Sequence, residues 1–383
     1  MATAHLALAA ICALLALAGA VYFALSSWAA SRFQQGLREL SSSPHFTPPV
    51  SILRSVKGLD PQMELALRSH CLLEYPQYEV LIGVSDRDDP ALRLVERIRL
   101  QFPQCALRIV HCPQVLGRNG KVSNLAQMLP EARYHHIVVN DGDIVVPPDY
   151  LQRLMAPLAS PGVGMVTTLF RGSARGLWSR LEALGISEFA GGVLVARILE
   201  GGIRFALGAT IATTRTVLQQ IGGFEAVADC LADDYELGVR TAAAGHRVEL
   251  ADVVVETAIH DYSFRDFWLH QLRWARTIKD RRPLQYCGLI VGSPWVWAVL
   301  AVLASPRAWW TWTALVLVGV ARLAVALAVG QRLLRDSQAL RNQWLAPLRD
   351  LFGLAVWMAS FFGNQIEWRG QRFRIRRGKL EAL

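Results

Sequence analysis

The stretch His136–Tyr150, HIVVNDGDIVVPPDY, drives an apolar, β-rich run straight into Asp141 and Asp143, with a Pro-Pro turn shortly after. Such a run, bounded by turn residues, reads as a buried strand. A buried strand ending in two carboxylates puts them at the edge of a sheet. In open α/β sheets ligands bind beyond the carboxyl ends of the strands, so the stretch predicts both a fold class and a site. D-G-D alone also fits a solvated turn, where Asp and Gly are common; the apolar strand in front of it favours the site.

Around this stretch short β-rich runs alternate with helical ones. Val50–Ser55, Val80–Val84, Ala106–His111, Ile137–Asn140 and Val163–Thr167 read as strands, with Leu92–Phe102 and Lys121–Leu129 as helices between them. That alternation predicts an α/β domain with a largely parallel sheet covered on both faces. The domain is placed at residues 48–283, ending in an interfacial helix, and SSSPHFTPPV (Ser41–Val50) is its upstream boundary.

The 383 residues are 52% hydrophobic, too apolar for an ordinary soluble enzyme, and the excess lies at the two ends. Leu6–Ala30 carries no charge. About 20 apolar residues cross a bilayer. The charged leader of a signal peptide is missing, so residues 1–31 read as an uncleaved anchor. Arg32 and Arg38 follow it and no Lys or Arg precedes it, which places the following domain on the cytosolic side.

Residues 284–365 read as a second membrane region, with spans near Gly288–Ala304 and Trp309–Gly330 joined by SPRAWW. Arg322 interrupts the second span and is either buried against a partner or snorkelling. The Arg-rich loop Gln331–Asp350 reads as cytosolic. Leu351–Phe362 is short for a crossing; if it dips in or lies flat, the basic tail 366–383 stays inside. Six cysteines without a CxxC pair fit a reduced compartment. The net charge of +9 comes without a helix-turn-helix, zinc knuckle or RNP-like run, which argues against nucleic acid and for lipid headgroups.

Three further segments carry chemistry. In SDRDDP (Ser85–Pro90), Asp86 follows the strand YEVLIGV and could accept a hydrogen bond from a base-edge N–H; Asp88 or Asp89 fits a helix cap better. In LADDYELG, Asp233 and Asp234 open a helix. Capping explains one of them, and the other could take a proton from an attacking hydroxyl. In HQLRWARTIK (His270–Lys279), Arg suits a diphosphate and Trp a shelf beneath a sugar; an ordinary amphipathic surface helix explains the string equally well. A D-x-D at a strand end suits a nucleotide-sugar diphosphate, whose charge a divalent cation bridges to the carboxylate.

In order, VSILRSVKGLDP, YPQYEVLIGVSDRDDPA, GRNGKVSNL, NDGDIVV, IGGF, ADDYELG and HQLRWARTIK resemble the ceramide glucosyltransferase family, over nearly the whole chain. RGLWSRLEALGISEF and GATIATTRTVLQQIGGFEAVADCLADDYELG look closest to bacterial hopanoid-biosynthesis glycosyltransferases. The resemblance implies a GT-A (Rossmann-like) domain with N- and C-terminal transmembrane helices in a multi-pass protein of the bacterial inner membrane. It also implies inverting transfer of one hexose, glucose or N-acetylglucosamine, from a UDP-sugar to a lipid hydroxyl, with Mg2+ or Mn2+.

By the same resemblance Asp86 contacts the base, Asp141 and Asp143 serve the diphosphate and metal, and Asp234 is the general base. Arg273 and Trp274 match the Arg-Trp of the (Q/R)xxRW motif. His270 stands where the family has Gln or Arg. With Gln271, and with Lys57, Lys121 and Asn124 from the motif segments, it joins the expected donor set. The acceptor stays open among a hopanoid polyol such as bacteriohopanetetrol, ceramide and diacylglycerol; Phe189–Ala212, apolar and Gly-rich, shapes its approach or is plain core. No obligate protein partner is evident. A processive polysaccharide synthase would need more membrane helices, and a non-catalytic scaffold or carrier could dispense with several of these carboxylates.

Overall fold

The computed structural model describes residues 2–40, 46–60, 62–368 and 371–382, without the side chains of 2 and 37–40. Part of the Ser41–Val50 boundary, the Arg38 side chain and Arg369–Gly370 of the basic segment therefore lie outside the described residues. The chain forms two compact units. One comprises Met1–Glu39, Ala174–Ile198 and Asp261–Leu383; the other comprises Leu40–Ser173 and Leu199–His260.

A 39-residue helix, α1 (Ala2–Leu40), opens the chain. Then come β1 (Val50–Ser55), α2 (Met63–Cys71), β2 (Tyr78–Val84), α3 (Ala91–Gln101), β3 (Leu107–His111), α4 (Gly120–Glu131), β4 (His136–Asn140) and β5 (Ile144–Val145). α5 (Tyr150–Met155), β6 (Val163–Ser173), α6 (Leu177–Leu199), β7 (Thr210–Thr214), α7 (Arg215–Gln220), α8 (Asp233–Ala243) and β8 (Arg247–Ala258) complete the alternating region. All of these except α1 and α6 belong to the second unit, which holds one eight-stranded sheet in the order β3-β2-β1-β4-β7-β6-β8-β5.

The expectation of a largely parallel sheet holds for one half only. β3, β2, β1 and β4 are mutually parallel. β7 is antiparallel to β4 and to β6, and β5 is antiparallel to β8. β6 and β8 are parallel again. Only the D-G-D turn separates β4 from β5 in sequence, yet β5 pairs with β8 at the edge of the sheet and not with β4. β1 is buried at every position and β4 from Ile137 onward, so the central strands read as near-continuous apolar runs. Ile52, Val80, Ile82, Val138, Val166 and Val253 belong to the core they share.

The other unit adds α9 (Phe264–Arg281), α10 (Pro283–Gly288), α11 (Pro294–Ala304), α12 (Trp309–Val325), α13 (Gln338–Arg341) and α14 (Ala346–Ser360). Among the described residues Thr3–Gly36 and Trp309–Leu333 are long and apolar enough to cross a membrane. Pro283–Gly292 and Pro294–Ala304 meet at 54° and form either a broken span or a re-entrant loop. Pro294, which has no N–H to donate, starts the second piece. α14, over the Leu351–Phe362 run, has 15 residues.

Arg322 does not snorkel. It is buried, ion-paired to Glu188 of α6 and Asp350 of α14, and lies 4.3 Å over the Phe23 ring of α1. The segment read as a basic tail is also ordered. It folds into an antiparallel sheet of β9 (Gln365–Trp368), β10 (Gln371–Arg376) and β11 (Lys379–Ala382). Ile366, Phe373, Ile375 and Leu380 are buried there while Arg372, Arg374 and Arg376 face out. The period-2 alternation in QRFRIR was legible as a strand.

Candidate active site

The second unit gathers its acidic residues beyond the carboxyl ends of β1, β2 and β4. Asp141 follows β4 directly, and Lys121 of α4 reaches it with Nζ 2.7 Å from Oδ1. The same ammonium lies 3.4 Å from Asp233 at the start of α8. Asn119 caps α4, accepting from Val122 N–H, and its amide donates to Cys230 O at 2.8 Å and to Asp233 Oδ1 at 3.2 Å. The two helix starts are thus tied together, and of the paired aspartates in ADDYELG, Asp233 is the one held by structure. Among the described residues Asp234 makes no such ion pair. A Cβ added at Gly208 would lie 3.1 Å from Asp234 Oδ2 and 3.6 Å from Asp141 Oδ2, so this glycine, which the sequence reading did not single out, separates the two carboxylates.

Electrostatics divide the cluster. Burial raises the Asp234 pKa to about 7, with Asp233 adding to the shift and Lys121 opposing it. Burial opposes the charge of Lys121, but Asp141 and Asp233 outweigh it and hold that amine above the usual lysine value. Burial, and then Asp141, also push Asp143 up, against a hydrogen bond donated by the Thr257 hydroxyl of β8. That hydroxyl is in place because Ile144 pairs with Thr257 across β5 and β8.

The loops after β1 and β2 form the neighbouring edge. Asp86 is exposed and its Oδ1 accepts the Asp88 N–H at 2.9 Å. Asp89 is the capping aspartate: its Oδ1 accepts the Ala91 N–H at 2.8 Å. Both its oxygens also take the Gly58 N–H, at 3.1 and 2.9 Å, fastening the loop that carries the exposed Lys57 to the Asp86 loop. Gly58 has φ +72°, which a side chain would strain. Asn124 is buried, with its amide spent on Ser55, Ser85 and the Gly83 carbonyl, so it ties β1 to β2. The sequence reading also passed over Asp60 and His260, which lie 3.6 Å apart (Oδ1 to Nε2).

Among the described residues no three His, Cys, Asp or Glu groups come together as a metal cage. Asp141 is already engaged by Lys121. Asp143 is different: its carboxylate is disfavoured by burial and by Asp141, which a cation would reverse. These residues fit a divalent ion held by one or two carboxylates together with substrate phosphates, as Mg2+ commonly is, and do not fit a protein-only site.

The remaining expected donor residues lie on α9, in the other unit. His270 and Gln271 converge on one buried acceptor, Glu182 Oε2 of α6, at 2.9 and 3.2 Å. The His270 ring is 5.3 Å from that of Trp274, and Arg273 O accepts the Thr277 hydroxyl at 2.8 Å. Glu182 lies within the quoted segment RGLWSRLEALGISEF, but that segment assigns it no role.

Relatives of this chain are lipid glycosyltransferases by name. It is 36% identical over 101 residues to a ceramide glucosyltransferase of Komagataella phaffii, covering 25% of this chain and 20% of that protein. It is 24% identical over 283 residues to the beta-monoglucosyldiacylglycerol synthase of Synechocystis, covering 69% of this chain and 57% of that protein. The chain thus spans less than two thirds of the length of either. Among solved structures, a mannosyltransferase from Pyrobaculum calidifontis in complex with GDP-Man and Mn2+ superposes with a TM-score of 0.54 at 22% identity, covering 93% of this chain and 99% of that one. That likeness shows the GT-A fold. Over residues 11–381 the sequence matches the profile described as glycosyl transferase family 21, and the chain belongs to that family.

Proposed function

We propose that the chain transfers one hexose from a UDP-sugar to the hydroxyl of a membrane lipid, inverting the anomeric centre. The observation that carries this is the pairing of Asp234, poised at about pH 7, with Asp141 across the gap left by Gly208. A base with a pKa near the working pH combines availability with proton affinity. Asp234 takes the proton of the acceptor hydroxyl. Lys121 holds Asp141 and Asp233 in place and offsets their charge. Asp86 accepts from the base edge, and Lys57 stands on the fastened loop beside it. Asp143, with Asp141, would hold Mg2+ or Mn2+. That ion supplies charge neutralisation for the departing diphosphate. Arg273 and Trp274 keep the donor roles that the resemblance gives them.

Ceramide and diacylglycerol are favoured as acceptor classes by the names of the relatives. A hopanoid polyol rests on the sequence resemblance. The catalytic unit, placed at residues 48–283, faces the cytosol of a bacterial inner membrane, supported by Arg32 following the uncharged run Leu6–Ala30.

The test is UDP release by the purified full chain from UDP-glucose and UDP-N-acetylglucosamine. Ceramide, diacylglycerol or a hopanoid polyol is supplied as acceptor, with Mn2+ or a chelator, and products are read by mass spectrometry. A single sugar on one lipid, lost on chelation, is the expected result. A polymer would favour a processive synthase, and no turnover with any pair would favour a non-catalytic role.

A further inference from the structure

Arg54, in β1, is among the largest fully buried side chains of the protein, at 0% exposure. Its Nη1 donates to Ala66 O at 3.2 Å and to His70 Nδ1 at 2.7 Å. Its Nη2 donates to Gly142 O at 2.7 Å and to Asp141 O at 3.4 Å. His70 Nδ1 also lies 2.8 Å from Ala66 O, and its Nε2 points at Asn140 Oδ1, 3.4 Å away. Asn140 in turn donates to Tyr150 Oη, Ala209 O and Thr210 Oγ1. A polar chain therefore runs from α2, beneath the D-G-D turn, to the start of β7 beside Gly208.

The place of this chain is informative. The parallel ladder between β1 and β4 ends at the pair Arg54–Asn140. Beyond it the Arg54 side chain donates to both the Asp141 and Gly142 carbonyls, alongside the Ile144 N–H that reaches Asp141 O at 3.4 Å. A buried cation is costly, and an apolar side chain of similar volume would fill the space at lower cost. A planar fork with donors on both ends does what an apolar side chain or a lysine cannot.

We propose that Arg54 is a positioning residue of the donor site: its guanidinium clamps the Asp141 and Gly142 carbonyls and thereby sets the direction of the two D-G-D carboxylates. The inference rests on the reading of Asp141 and Asp143 as the diphosphate side of the site. Arg54→Lys keeps the charge and loses the fork, since one ammonium cannot span both anchors. In the purified full chain it weakens Mn2+-dependent UDP binding, read by calorimetry, by about tenfold or more. It also raises the KM for the UDP-sugar while leaving the KM for the lipid unchanged.

Binding equal to the parent's overturns the clamp. So does a variant whose donor and lipid KM rise together as its melting temperature falls, since that is loss of fold. If Arg54→Lys does not fold, His70→Leu replaces it: it removes one anchor and leaves the charge. The same split is then expected, and an unchanged donor KM overturns the proposal. Parent protein that binds no UDP with Mn2+ would instead sink the underlying functional reading.

Discussion

At the scale of single residues the aspartates differ in environment more than in motif. Asp234→Asn keeps the shape of the site and removes the base. Turnover should fall by about 10²- to 10⁴-fold while calorimetry shows UDP still bound; retained turnover would remove Asp234 from that role. Its titration also has a sign. The folded pKa is raised from 3.8 to about 7, so between those values the native chain holds a proton that the unfolded chain has released. Stability is therefore lost as pH rises through that window. Without metal and donor, Asp234→Asn should melt above the parent at pH 8, with the gap narrowing at pH 5 and closing only below the unfolded value of 3.8. Gly208→Ala would set a methyl 3.1 Å from Asp234 Oδ2, forcing the carboxylate to give by a few tenths of an ångström. A lower kcat with an unchanged melting temperature is the expected outcome, and parent-like kcat would mean the gap is not used.

At the scale of elements the site depends on where two helices begin. α8 packs so closely on Phe205 and Ala206 that a Cβ at Gly238 would lie 2.3 Å from the Ala206 amide nitrogen. Backbone cannot step aside as a flexible side chain can. Gly238→Ala should therefore push α8 off this segment, carry Asp234 with it, and lower both melting temperature and turnover; a parent-like melting curve would show that the segment yields. Asp89 does similar work for the preceding edge. Asp89→Ala frees the Gly58 N–H and uncaps α3, at a cost of about 1 kcal/mol for the cap, and should raise the donor KM more than the lipid KM. These couplings join residues far apart in sequence, so no local pattern announced them. The strands β1–β4 and the first half of β6, with α3, α4 and the start of α8, were legible, because apolar periodicity is a local property. The antiparallel insertions were not, since TIATT (β7) and the two-residue β5 reveal their direction only through pairing.

At the scale of the whole molecule, the unit holding the membrane-length helices is organised around one buried charge cluster. Arg322 of α12 engages Glu188 of α6, Asp350 of α14 and the Phe23 ring of α1, and Asp350 also accepts the Trp295 N–H at the start of α11. Removing one member strands the others. Arg322→Met should cost about 3–5 kcal/mol, read as a lower melting temperature in detergent. Adding Glu188→Gln and Asp350→Asn should restore much of it, because the orphaned charges go too. If the single variant melts like the parent, the cluster does not hold these helices.

Sequence alone determined the family, the membrane-length segments, the central parallel strands and the acidic motifs at their ends, because each is written in contiguous residues. It did not reveal that Lys121 engages Asp141 and Asp233, that Asp89 fastens the Lys57 loop, or that Glu182 draws in His270 and Gln271. Those are contacts between side chains separated by tens of residues. Charge neutralisation, burial and the shift of a carboxyl pKa exist only once the chain has brought such groups together, so only the tertiary structure could decide them.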